Sequence, residues 1–296
     1  MQTGGKKYKL LHRVKDTRYF NIDNLHHYSL SLQLGSNDFQ ICVIDSRNST
    51  CLLLEDYIFP GASSPEDRVA ILKYLFDEHH FLMANFWNAV KVSIKTSKFS
   101  LVPKGAFDES ALFDYLKYNA DLDTSLETYR YNVITFNEII TVFAFEKRVQ
   151  EFFDSIYQNI KYQVSHQSCG IISGIFNSEN KTRNKKMYLY VDRGRLHISL
   201  IEDQRLLYYN QFLIKEFSDY IKFINLVAKE LNYDIGINGV ILWGYIRKNS
   251  SHLKELQKYF KNIKFGGSAS FLKRGFMFDE IPEHHFIDVY GIYLCQ

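Results

Sequence analysis

Proline is scarce in this chain, with four residues in 296, and so are cysteine, with four, and tryptophan, with two. So few prolines exclude a proline-rich extended linker and leave helices and strands uninterrupted. The cysteines are Cys42, Cys51, Cys169 and Cys295; only the first two fall on neighbouring expected strands, and none forms a Cys-x-x-Cys pair. That spacing excludes the common zinc and dithiol arrangements and suits a reduced cytoplasm. Net charge is nearly absent, because 36 basic residues stand against 33 acidic ones for a balance of +3. A protein that tracks a nucleic-acid backbone carries a stronger field, so neither DNA nor RNA binding is favoured. The basic residues that do cluster, Lys6, Lys7, Lys9, Arg13, Lys15 and Arg18 in the N-terminal arm and Lys181, Arg183, Lys185 and Lys186 further on, read as solvated segments. No apolar run approaches the ~20 residues that span a bilayer, and the start of the chain has charge without an apolar signal core. Membrane insertion and export are therefore not expected. There is no Walker A sequence and no Gly-x-Ser-x-Gly elbow, so P-loop and α/β-hydrolase chemistry lack their defining parts.

What is present is apolar and aromatic: 46% hydrophobic residues, with 24 Phe and 21 Tyr. This is a globular composition, long enough for two ordinary domains or one large one. From Tyr28 to Leu34 the residues alternate, with Tyr28, Leu30, Leu32 and Leu34 on one face and Ser29, Ser31 and Gln33 on the other, the period of a strand. Gly35 ends it, and strands are expected again over Phe39–Ile44 and Cys51–Phe59, an antiparallel meander. Ser64-Pro65-Glu66-Asp67 then carries an N-cap, a first-turn proline and early acids, which start a helix running to about Glu78. A strand over Ala89–Ile94 follows.

The same order recurs. Met187–Asp192, Leu196–Glu202 and Leu206–Phe212 read as three strands, a helix is marked by Phe217, Tyr220, Ile221, Ile224, Val227, Ala228 and Leu231, and Gly239–Trp243 is the next strand. The internal repeat is β-β-β-α-β twice, with Gln33-Leu34-Gly35 matching Asp192-Arg193-Gly194. Two copies of a mixed unit imply two similar lobes facing each other across a cleft. Between them the sequence predicts a helix near Asp108–Tyr118, strands near Thr128–Thr135 and Ile139–Phe145, and an amphipathic helix with Val149, Phe152, Phe153 and Ile156. A last helix is expected over Glu283–Leu294. The expected organisation is a flexible basic arm over 1–20, a first lobe over 21–176 with an insert at about 97–131, a polar linker over 177–186, and a second lobe over 187–296.

This duplicated unit, with Gly35 and Gly194 at matching turns, resembles the actin-like ATPase superfamily, an α/β fold made of a duplicated ribonuclease H-like unit. From Ile139 onward it resembles the cytoplasmic pilus-assembly proteins of that fold. The segment Leu101-Val102-Pro103 and the closing Asp288-Val-Tyr-Gly291 are similar to an uncharacterised Bacteroidota family, a domain of unknown function with this fold.

The resemblance implies a nucleotide site in which each lobe contributes an Asp-x-Gly turn. The glycine lets the backbone approach a phosphate, and the acid organises a divalent metal. The second turn is intact as Asp192-Arg193-Gly194. In the first, Gln33 replaces the acid, no Lys or Arg follows Gly35, and Asp38 would repel a triphosphate. The adenosine element is reduced to Ile241-Leu242-Trp243-Gly244, with Tyr245 where a second glycine is usual. Gly35, Asp192, Gly194 and Gly244 are thus the candidate nucleotide-contacting residues, with no catalytic residue and no metal ligand assigned. Asp192 and Gly194 also suit an ordinary hairpin turn, and Gly266-Gly267-Ser268 reads as a loop. Each of the doublets His26-His27, His79-His80 and His284-His285 offers one convergent ligand, and His284 with Asp288 reads as a surface hydrogen bond.

The expectation is a non-catalytic scaffold that binds another protein in the cytoplasm, needs no cofactor, and docks through sheet edges, cleft or insert. The alternative is a diverged ATP hydrolase that binds ATP and magnesium through Asp192. A second alternative is a nucleic-acid binder using the basic arm.

Overall fold

The computed structural model describes residues 8–134, 138–179 and 184–296. Lys6, Lys7, Lys181, Arg183, Thr135 and the middle of the expected linker lie outside the described residues. The chain forms two compact units: residues 1–173, 271–280 and 288–296 make the first, and residues 174–270 and 281–287 the second.

In chain order the first unit contains β1 (Lys9–Lys15), β2 (Tyr28–Leu34), β3 (Asp38–Asp45), β4 (Thr50–Ile58), α1 (Pro65–Glu78), β5 (Ala89–Ile94) and β6 (Phe99–Pro103). It continues through α2 (Leu112–Leu116), β7 (Glu127–Ile134), β8 (Ile139–Glu146), α3 (Lys147–Ile156), β9 (Gln163–His166) and the start of α4 (Gln167–Ser178). The main sheet has the order β1-β4-β3-β2-β5-β9. β2, β3 and β4 form the antiparallel meander expected from the alternation, and β5 pairs with β2 in parallel after the α1 crossover. Leu30 and Leu32 are fully buried, as the pattern demands, but so are Ser29, Ser31 and Gln33 on the other face. Helix α1 starts where the sequence places it: Ser64 accepts from the Asp67 amide at 3.1 Å while Asp67 accepts from the Ser64 amide at 3.2 Å, a reciprocal cap. It buries Ile71, Leu72, Leu75 and Phe76. A second sheet, β6-β8-β7, carries its own small core of Val102, Leu116, Ile140, Val142 and Ala144 beneath α2.

The second unit holds β10 (Lys186–Asp192), β11 (Arg195–Glu202), β12 (Arg205–Leu213), α5 (Phe217–Glu230), α6 (Ile235–Asn238), β13 (Val240–Gly244), α7 (Ser251–Tyr259) and β14 (Ile263–Phe265). Its sheet order, β12-β11-β10-β13-β14, repeats that of β4-β3-β2-β5-β9, with β13 parallel to β10. Met187, Leu189 and Val191 of β10 pack with Ile224 and Val227 of α5 and Leu253 and Leu256 of α7, so both helices cover one face of the sheet.

Several segments differ from what the sequence predicts. Lys9–Lys15, expected in a flexible arm, is an edge strand antiparallel to β4. The tail expected in the second lobe is divided: β15 (Lys273–Arg274) pairs in parallel with β4, and Asp288 onward belongs to the first unit. The expected terminal helix is only α8 (Ile287–Gly291) and a 3-10 turn, Ile292–Leu294. Near residue 110 a 3-10 turn, Glu109–Ala111, precedes the short α2. Cys42 and Cys51 are buried thiols with sulfurs 3.7 Å apart, whereas Cys169 and Cys295 form a disulfide with Cα atoms 6.1 Å apart. Their 126-residue separation hides this pairing from local sequence. Among the described residues no helix is long and apolar enough to cross a membrane.

Candidate functional site

In the first unit the chain leaves β2 at Leu34 and returns in β3 at Asp38, and the Gly35 amide closes the loop on the Asp38 carbonyl at 2.9 Å. The Asp38 carboxylate folds back over Gly35, so a methyl group there would overlap it. Lys95 Nζ holds that carboxylate at 2.6 Å, and both side chains are 5% exposed. No cation was expected at this turn, because Lys95 is remote in sequence. Parallel pairing sets Ile94 beside Leu34, and the Lys95 amide donates to the Leu34 carbonyl at 2.8 Å, which delivers the ammonium to the turn. The space above the glycine holds a carboxylate of the protein itself, paired with Lys95.

Gln33 is likewise fully engaged. Its amide nitrogen donates to Gln40 Oε1 at 2.9 Å and to Asp288 Oδ2 at 2.5 Å, while its carbonyl accepts from Ser93 Oγ at 3.2 Å. Both amide hydrogens are thereby used. The network continues from Gln40 Nε2 to Asp56 Oδ1 at 3.1 Å and from Gln167 Nε2 to Asp288 Oδ2 at 3.1 Å. All six side chains are essentially inaccessible. The expected surface bond between His284 and Asp288 is corrected: both are buried, and His284 Nε2 donates instead to the Ile246 carbonyl at 2.8 Å. Helical spacing alone misled here, since α8 begins only at Ile287.

In the second unit the turn is a two-residue hairpin, with Asp192 paired to Arg195 and positive φ at Arg193 (30°) and Gly194 (81°). This mirror-image turn matches the twist of a hairpin and favours glycine at its second position. Asp192 is buried at 3% exposure. Val191, Arg193 and Gly194 line a cavity of about 390 Å³ with Tyr220, Tyr245, Arg247 and His252, among others. Asp192 does not line it. Alternation along β10 puts Val191 on the face covered by α5 and α7 and Asp192 on the other. The Arg193 guanidinium lies 4.8 Å from the Tyr245 ring centre.

Gly244 has φ +91°, and a Cβ there would run into the Val191 backbone. Its amide donates to the His284 carbonyl and the Tyr245 amide to the Val191 carbonyl, each at 2.8 Å. The glycine thus serves the close approach of the end of β13 to Val191 on its parallel neighbour β10. Gly266 lies against the Trp243 indole, which leaves no room for a side chain. Gly35 belongs to the first unit, and Asp192, Gly194 and Gly244 to the second. Within the second unit the structure brings Gly194 and the residue after Gly244 to one cavity and turns Asp192 away from it. Among the described residues no group of three or more His, Cys, Asp or Glu is placed to hold a metal ion. Lys95 and Gln167 gave no signal in the sequence, and Asp288, read there in the closing element and beside His284, gave none of its bond to Gln33, because only long-range contacts bring these residues to the first turn.

Two sheets of the same strand order, each with a glycine turn between the first two strands of the repeated unit, define the actin-like ATPase fold. The chain belongs to the DUF3822 family of proteins of unknown function, whose profile matches residues 16–263. It is similar to a crystal structure from Bacteroides thetaiotaomicron, a protein with actin-like ATPase fold and unknown function: TM-score 0.78, 20% identity, 94% of this chain and 99% of that one covered. It is also similar to a chain of the PilM-PilN type IV pilus biogenesis complex, at TM-score 0.60 and 10% identity, with 90% of this chain and 97% of that one covered. No protein of curated function matches the chain.

Proposed function

We propose that this protein is a non-catalytic actin-like scaffold that binds another protein, its nucleotide site converted to structural use. The observation that carries this reading is the first turn: the Asp38 carboxylate, neutralised by Lys95, lies over Gly35, and Gln33 replaces the acid. A triphosphate entering there would have to displace a buried ion pair, and breaking such a pair is strongly unfavourable. Gln33 offers no negative charge to a magnesium ion and has no amide hydrogen to spare. The PilM-PilN complex supplies a case of this fold engaged with a protein partner.

A second reading, nucleotide and magnesium binding through Asp192, is favoured by the retained hairpin with its uncrowded glycine at φ +81°. Nucleic-acid binding by the N-terminal arm is disfavoured because Arg13 is bound to Glu55 at 2.7 Å and Arg18 lies over Phe276 at 4.6 Å. The two main readings separate in affinity capture from native lysate with and without magnesium-ATP. The scaffold reading expects the same partner in both, unaltered by Asp192→Ala. A partner retained only with nucleotide would overturn it.

A further inference from the structure

We propose that the groove between α1 and α3 of the first unit receives a second copy of this chain, making the protein a two-fold dimer independently of any other partner it binds. The two helices form one rigid surface. The Phe76 ring meets Phe152 at 5.1 Å and Phe153 at 6.4 Å, and Arg68 of α1 pairs with Glu146 at the start of α3. The groove has a volume of about 390 Å³, and Val69, Ala70 and Phe152 supply its apolar lining. Four charges line it as well, two of each sign: Glu66 and Lys73 from α1, Arg148 and Glu151 from α3. Glu66 and Arg148 join the two helices at 2.8 Å. Lys73 and Glu151 are both exposed, and among the described residues neither has a hydrogen-bond or ionic partner. One helix thus offers an unpaired cation and the other an unpaired anion.

That arrangement selects the occupant. A groove with an excess of one sign would attract the opposite sign and repel a copy of itself. This groove has no excess, and its two unpaired charges are opposite. In an interface where the same patch of both copies meets, a contact from Lys73 to Glu151 of the second copy is repeated from Glu151 to Lys73 of that copy. Two ion pairs then form across the dimer from residues that have none within the chain. Tyr74 adds an anchor. It is 59% exposed, follows Lys73 directly and lies one helical turn from the small Ala70, so its ring borders the groove. The two-fold that joins Lys73 to Glu151 brings each Tyr74 to the groove of the other copy, where a tyrosine ring contributes more than most side chains to a protein interface.

The test is sedimentation equilibrium of the full chain at low salt over about 1 to 100 µM. A monomer–dimer equilibrium is expected, weakened by salt and by Tyr74→Ala. Lys73→Glu and Glu151→Lys each set like charges against one another at both contacts, and each is expected to raise the dimer Kd at least about tenfold. Mixed in equal amounts, the two variants again place opposite signs at both contacts, so dimer should return at wild-type strength. The doubly substituted chain, Lys73→Glu/Glu151→Lys, should dimerise as the wild type for the same reason. Recovery on mixing also shows that each variant is folded. A wild-type chain that stays monomeric over the whole range would overturn the proposal, whatever else the groove binds. A dimer that neither reversal weakens would overturn it too, because its interface would lie elsewhere, and so would loss in both variants without recovery on mixing.

Discussion

Gln33 and Asp288 hold each other in place, and at the scale of single residues Gln33 stands where the resemblance to actin-like ATPases implies an acid. Asp288→Ala would leave the buried amides of Gln33 and Gln167 without this acceptor. The expected loss is about 2 to 3 kcal/mol, read from urea unfolding; a midpoint equal to wild type would contradict the network's role. Gly35→Ala would push the Asp38 carboxylate off its seat and is expected to cost about 1 to 3 kcal/mol by the same measurement. A third prediction concerns protons. His79 shares a 2.8 Å hydrogen bond with Tyr57, and burial holds its pKa below the ordinary 6.5. Burial lowers His284 in the same way. A base whose folded pKa is lower protonates first in the unfolded chain, so stability is complete above pH 6.5 and declines as pH falls through the folded values. Unfolding midpoints measured downward from neutral pH should fall in that window, before the carboxylates titrate, and fall less in His79→Gln.

Among elements, the C-terminal return explains why half the candidate site was hidden from sequence. The alternation of β2, the cap of α1 and the helical spacing of α5 are local patterns, and each was legible because its cause lies within a dozen residues. Lys95 reaches the turn by parallel pairing of β5 with β2, and Asp288 by a chain that leaves the second unit and comes back, so neither leaves a local trace. The disulfide between Cys169 and Cys295 fastens that return to α4, and Lys91 Nζ donates to the Tyr293 and Cys295 carbonyls at 2.8 and 2.5 Å. Reduction, or Cys169→Ser, is expected to cost about 5 kcal/mol, judged from a closed loop of this order. Urea unfolding with and without dithiothreitol checks it, and the variant should no longer respond to the reductant. At the opposite edge, β1 covers the outer side of β4. Truncation through Lys15 would expose that strand and is expected to cause association, visible by light scattering.

For the whole molecule, the repeated strand order was legible because two copies of one pattern corroborate each other, and it led to the fold. Function was less legible, since what distinguishes a phosphate turn from an ordinary hairpin is what surrounds the glycine. Gly35 and Gly194 read alike, yet Gly35 lies beneath an Asp38–Lys95 pair, while a Cβ on Gly194 would meet nothing nearer than the Ile214 carbonyl at 3.8 Å. On this account the fold has been kept and its phosphate chemistry given up. Calorimetric titration of the intact protein with magnesium-ATP tests that most directly. The prediction is no saturable heat up to about 1 mM nucleotide; tight binding that disappears in Asp192→Ala would contradict it.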